Sequence, residues 1–149
     1  MKKFKFSLQK LLDIREAKER EIKHELMKVL GIQNRERMRQ EDLRNKIIKY
    51  ETEYSEKLRK GKFAPEEAMF LMRYVDISRS AIAEAQRRID EMQPIVDEIR
   101  GRLVIASREK KIVEKLKERK LEEYMYEFNR NIAKENDDMN QKLYQRKLM

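Results

Sequence analysis

The stretch Gly61-Lys62-Phe63-Ala64-Pro65 decides how this chain folds. Charge-rich segments with apolar residues at helical spacing run on either side of it, and only three Gly and two Pro stand in 149 residues. Gly61 can stop a helix by taking up the left-handed conformation. Pro65 can open the next, since a missing N–H costs nothing at the first helical position. Glu66 and Glu67 then fall in a first turn, where the helix dipole favours anions. The expectation is an all-α protein: a two-helix antiparallel coiled-coil hairpin with a protruding C-terminal helix. Residues 1–149 form one domain, with helix one at about 6–60, a turn at about 61–64 and helix two at about 65–147.

Composition agrees. Ala, Glu, Lys, Leu and Arg make up 79 of the 149 residues, as in long helices, and 44% of the chain is charged, which calls for a slender apolar seam and a wet surface. The formal charge of +9 could serve nucleic acid, an anionic membrane or an acidic protein. Its distribution decides. Lys and Arg never run longer than two together and acids are interleaved throughout, so the dense stripe of a DNA-reading helix is missing. Without Cys there are neither disulfides nor thiolate metal sites. Met1-Lys2-Lys3 opens like a signal peptide, but Lys5, Lys10, Asp13 and Arg15 interrupt any apolar stretch. No segment approaches 18 uncharged residues, so direct membrane insertion is not expected.

Helix one has Ser7 as a candidate N-cap and an apolar stripe at Leu8, Leu12, Ile22, Leu26 and Val29, with a polar gap at Arg15 and Glu19. Over residues 33–42 the stripe lapses, leaving Met38 among charges, and it resumes at Leu43, Ile47, Tyr50, Tyr54 and Leu58. Helix two carries a cleaner heptad. One position reads Ala68, Val75, Ile82, Ile89, Val96, Leu103 and the other Leu71, Ser78, Ala85, Met92, Ile99, Ala106, Val113. The heptad keeps its phase across Pro94, so the proline should kink one helix instead of dividing it. Past Lys110 the pattern slips, with apolar residues at Leu116, Leu121, Met125, Phe128, Ile132, Met139 and Leu143.

Folding about the turn pairs positions whose numbers sum to about 124–126, which leaves roughly the last 25–30 residues, about 40 Å of helix, without a partner. It also sets the polar residues 33–42 against residues 82–89. Either the stems of Arg35, Arg37 and Arg39 cover that stretch, or it is a docking face.

Catalytic equipment is not expected. His24 is the only histidine, between Lys23 and Glu25, and reads as a surface residue. Carboxylates adjacent in sequence, as at Glu122 and Glu123, diverge by about 100° on a helix and cannot share a metal. The glycines stand alone, so no phosphate loop, metal, cofactor or enzymatic role is read here. The aromatics remain: Tyr50 and Tyr54 lie one turn apart beside Ile47, with Tyr74 opposite. They either plug the coiled coil or form an interface patch.

The opening from Phe4 through Phe6, Leu8, Leu11 and Leu12 to Arg15 resembles the F-x-F-x-L-x-x-L-L-x-x-R start of the flagellar FliJ family. The length, the basic two-helix layout, the turn near 60 and the stretch from Glu114 to Leu121 are also similar. The resemblance implies a cytoplasmic component of the flagellar type III export apparatus, peripheral to the inner membrane at the flagellar base. By that resemblance, the end bearing both termini inserts in the export ATPase hexamer, the other half meets the cytoplasmic domain of the export gate, and substrate chaperones are possible partners. Carried onto this chain, the ring-binding residues are Phe4, Phe6, Leu8, Leu11, Leu12, Arg15, Leu116, Leu121, Met125 and Phe128. The gate-binding residues are Leu43, Ile47, Tyr50, Tyr54, Ile77 and Ala81, with Ile77 standing where the family often has a bulkier aromatic. Two other readings stay open: a homodimeric coiled-coil spacer or tether, and a basic helical protein that binds nucleic acid.

Overall fold

The computed structural model describes residues 2–148. It contains two helices, α1 (Gln9–Arg59) and α2 (Pro65–Leu148), packed antiparallel as an all-α hairpin. The turn works as the glycine and proline require. Gly61 adopts φ +74°. Its N–H reaches the Leu58 carbonyl at 3.0 Å and the Lys62 N–H reaches that of Lys57 at 3.0 Å, the paired bonds of a Schellman stop. Ala64 then accepts the first bond of α2, from the Ala68 N–H at 3.2 Å. Pro94 lies within the continuous α2, on its exposed side, where water can satisfy the Asp90 carbonyl that the proline leaves unpaired.

The chain divides into two compact units, one of residues 1–20 with 104–149 and the other of residues 21–103. In the second unit, Ile22, Leu26, Val29, Gln33, Glu36, Gln40, Leu43 and Ile47 of α1 are all buried or half-buried, in strict steps of four and three. Val75, Ser78, Ile82, Ala85, Ile89, Met92, Val96 and Ile99 form the matching row on α2. The register follows the expected sums: Tyr50 meets Tyr74, and Gln33 and Gln40 meet Gln93 and Gln86.

This row corrects the sequence reading of residues 33–42. The stripe does not lapse there; it turns polar. Gln33 and Gln40 are 1% and 3% exposed, whereas Met38 is 61% exposed. The Gln33 amide donates to the Ile89 carbonyl at 3.2 Å and to Gln93 Oε1 at 3.0 Å. Gln93 in turn donates to Asp97 at 3.0 Å. Seven residues on, Gln40 repeats the pattern, donating to the Ile82 carbonyl at 3.0 Å and to Gln86 Oε1 at 3.1 Å, with Gln86 donating to Asp90 at 2.9 Å. Arg35, Arg37 and Arg39 are exposed, and Arg35 Nε donates to the Gly31 carbonyl of its own helix at 3.4 Å. The stretch is therefore covered by two glutamine relays and not by arginine stems.

In the first unit α1 begins at Gln9, and its first helical bond runs from the Leu12 N–H to the Leu8 carbonyl at 3.0 Å, so Leu8 holds the cap position and Ser7 precedes it. The gap read at Arg15 and Glu19 is again a polar part of the seam. Arg15 Nη1 donates to the Glu109 carbonyl at 2.8 Å. Glu19, 5% exposed, accepts from Ser107 Oγ at 2.9 Å and Lys110 Nζ at 3.0 Å. On α2 the heptad keeps its phase beyond Lys110, through Val113 and Lys117 to Tyr124, all buried or half-buried. Lys117 Nζ donates to Gln9 Oε1 at 2.7 Å. The apparent slip arose because lysines fill two seam positions.

The fully exposed tail is also shorter than the one expected to lack a partner. Residues 2–6 have no regular structure, yet they lie along α2. Phe4 packs on Tyr124 with ring centres 5.5 Å apart, and the Tyr124 hydroxyl donates to the Lys2 carbonyl at 2.6 Å. Beyond Phe128, residues 129–148 are exposed at every position, about 30 Å of helix at 1.5 Å per residue.

Candidate functional site

The residues assigned to an ATPase ring all belong to the first unit, where burial sorts them. Leu12 is 3% exposed and belongs to the core, so it offers a partner no surface while the hairpin is folded. Phe4, Phe6, Leu11, Arg15, Leu116 and Phe128 are half-buried. Arg15 is committed to the Glu109 carbonyl, and Phe4 joins a run of rings with Tyr124 and Phe128, whose centres lie 6.3 Å apart. Leu8, Leu121 and Met125 are exposed. Leu121 and Met125 continue into Ile132, Met139 and Leu143, a set of exposed apolar residues in steps of four or seven along one face of α2. Sequence reasoning missed Tyr124, although it stands seven residues beyond Lys117 and fourteen beyond Lys110, in the phase of the heptad.

The residues assigned to an export gate belong to the second unit. Ile47 is 8% exposed and part of the core, and Leu43 is half-buried beside it. Tyr50 is 40% exposed and Tyr54 half-buried, so these tyrosines both pack and remain accessible. Tyr50 and Tyr74 meet edge to face at 5.1 Å with their planes at 90°, a favourable arrangement for ring quadrupoles. Ile77 is exposed and Ala81 half-buried; with Phe70 and Tyr74 they follow steps of four, three and four along α2. Phe70, 73% exposed, was not singled out from sequence, though its spacing to Tyr74 and Ile77 is the signal that could have found it. Beside the turn, Tyr50, Tyr54, Phe70, Leu71 and Tyr74 border a cavity of about 390 Å³.

His24 is exposed. Among the described residues, no group of three or more His, Cys, Asp or Glu could hold a metal ion, and no helix is long and apolar enough to cross a membrane.

Fold and exposed apolar faces place the chain among two-helix coiled-coil hairpins. Residues 4–149 match the model of the family described as flagellar FliJ protein, and the chain belongs to that family. Membership bears out the resemblance read from the opening Phe4-to-Arg15 pattern and gives the chain a role connected with flagellar protein export. No curated protein and no solved structure matches it.

Proposed function

We propose that the protein is a non-enzymatic stalk and adaptor of the flagellar export apparatus. It inserts its first unit into the export ATPase hexamer, promotes assembly and activity of that ring, and couples it to the cytoplasmic domain of the export gate. It works in the cytoplasm, peripheral to the inner membrane at the flagellar base, and substrate chaperones are further partners.

The observation that carries this reading, beside family membership, is the exposed helix of residues 129–148 with Ile132, Met139 and Leu143 uncovered. A lone helix gains nothing from tertiary burial. A ring pore would supply the missing surroundings for it and for Leu121 and Met125. The gate would meet the second unit at Tyr50, Tyr54, Ile77 and Ala81, whose mixed exposure suits a patch that packs and binds at once.

The test is steady-state ATP hydrolysis by the export ATPase of the same organism, with light scattering for mass. Substoichiometric amounts of the chain should raise hydrolysis and yield a larger ring species. No stimulation, with the chain running as its own stable dimer, would favour the tether reading instead.

A further inference from the structure

The cavity beside the turn combines aromatic walls with acidic groups. Tyr50, Tyr54, Phe70 and Tyr74 line a space of about 390 Å³, within the ~300–1,000 Å³ range of ligand pockets. Its charged lining is Glu53, Glu66, Glu67 and Lys57. Lys57 Nζ is paired with Glu67 at 3.2 Å. Among the described residues, Glu53 and Glu66 have no ion-pair partner. A pocket with a net negative lining therefore sits on a chain of net charge +9.

Ring faces carry negative quadrupole potential and attract cations, most strongly where several rings converge. Carboxylates at the rim strengthen the same preference. From this charge complementarity we infer that the pocket receives a cationic side chain, an arginine, presented by a segment of the partner protein. Arginine fits better than lysine because its planar guanidinium stacks on rings while its N–H fork engages carboxylates. Glu53 and Glu66 fix the fork, Tyr50, Tyr54 and Tyr74 provide faces, and the exposed Phe70 closes over the guanidinium. The inference deepens the reading that Tyr50 and Tyr54 face the export gate by naming the chemistry that docks there.

The probe is N-acetyl-arginine amide, titrated into the full chain and followed by the NMR signals of its six tyrosine rings. N-acetyl-citrulline amide, of the same shape but neutral, is the control. Saturable shifts should appear at Tyr50, Tyr54 and Tyr74 and not at Tyr124, Tyr126 and Tyr144, and citrulline should bind about tenfold more weakly. The double variant Glu53→Gln, Glu66→Gln alters only exposed side chains, so it should fold and lose about tenfold in arginine-amide affinity. Equal shifts with citrulline, shifts spread over all six rings, or unaltered binding by the double variant would each overturn the inference. Capture of the gate's cytoplasmic domain by the same proteins separates the two readings. Capture that survives in the double variant overturns the cationic pocket alone. Arginine-amide binding without capture by the parent chain overturns the gate assignment alone and supports the pocket.

Discussion

Gly61 and Gly101 should answer the same substitution in opposite senses. Gly61 stands at φ +74°, where a Cβ is strained, so Gly61→Ala should cost about 1 kcal/mol. Gly101 is exposed inside α2 with open space where a Cβ would go, so Gly101→Ala should stabilise by about 0.5–1 kcal/mol through the smaller entropy of the unfolded chain. Thermal denaturation of the two variants checks the pair. Lys110 gives a second test at this scale. Its ammonium donates to the buried Glu19 carboxylate, and that bond raises its pKa above the ordinary 10.5 despite the opposing cost of burial. A raised folded value means that the stabilisation is complete below pH 10.5 and is lost as pH climbs through the raised value. Lys110→Met should cost about 2 kcal/mol at pH 7 by removing the ammonium donor from the buried Glu19 carboxylate, and the difference between parent and variant should shrink at high pH.

Between the two helices, the least expected feature is the pair of glutamine relays, because a buried row is ordinarily read as apolar. The punctuation at Gly61 and Pro65 and the register about it were legible, since each follows from backbone geometry at one residue. The seam at Gln33, Glu36 and Gln40 was not, because an amide or carboxylate marks the surface unless its partner is known, and the partners lie more than 40 residues away. The same blindness hid Glu19 and Lys110. It also stretched the tail, because the clamp of residues 2–6 on Tyr124 is neither helical nor periodic. Polar residues at such inward positions specify register and oligomer state at a cost in stability. The double variant Gln33→Leu, Gln40→Leu should therefore gain about 1–2 kcal/mol per site while populating higher-mass species, read by thermal melting and light scattering. Lower stability with unaltered mass would show that the relays stabilise the hairpin instead of specifying it.

For the molecule as a whole, membership of the FliJ family was legible in its first fifteen residues, and the proposed partners rest on surfaces that the fold exposes. Of the candidate site, spacing singled out Tyr50 and Tyr54, while Leu121 and Met125 were assigned through the resemblance, and the fold leaves both of the latter exposed. Spacing could not separate Leu12 and Ile47, which are core, from neighbours that are free to bind. Phe70 and Tyr124 escaped although each is in phase with its row, Phe70 four residues before Tyr74 and Tyr124 seven beyond Lys117; the ring contacts and the cavity that make them part of a patch are formed only in the fold. The exposed helix joins these observations to the proposed role, because every residue from 129 to 148 is exposed. A chain ending at Phe128 keeps the rings of Phe4, Tyr124 and Phe128. Its hairpin should melt within a few degrees of the full chain. The decisive measurement is ATP hydrolysis by the export ATPase of the same organism, with the full chain and with this truncated one. Stimulation by the full chain that drops at least about tenfold on truncation, or about 1.4 kcal/mol of coupling, is the predicted result. Equal stimulation by both chains would contradict the assignment of this helix to the ring.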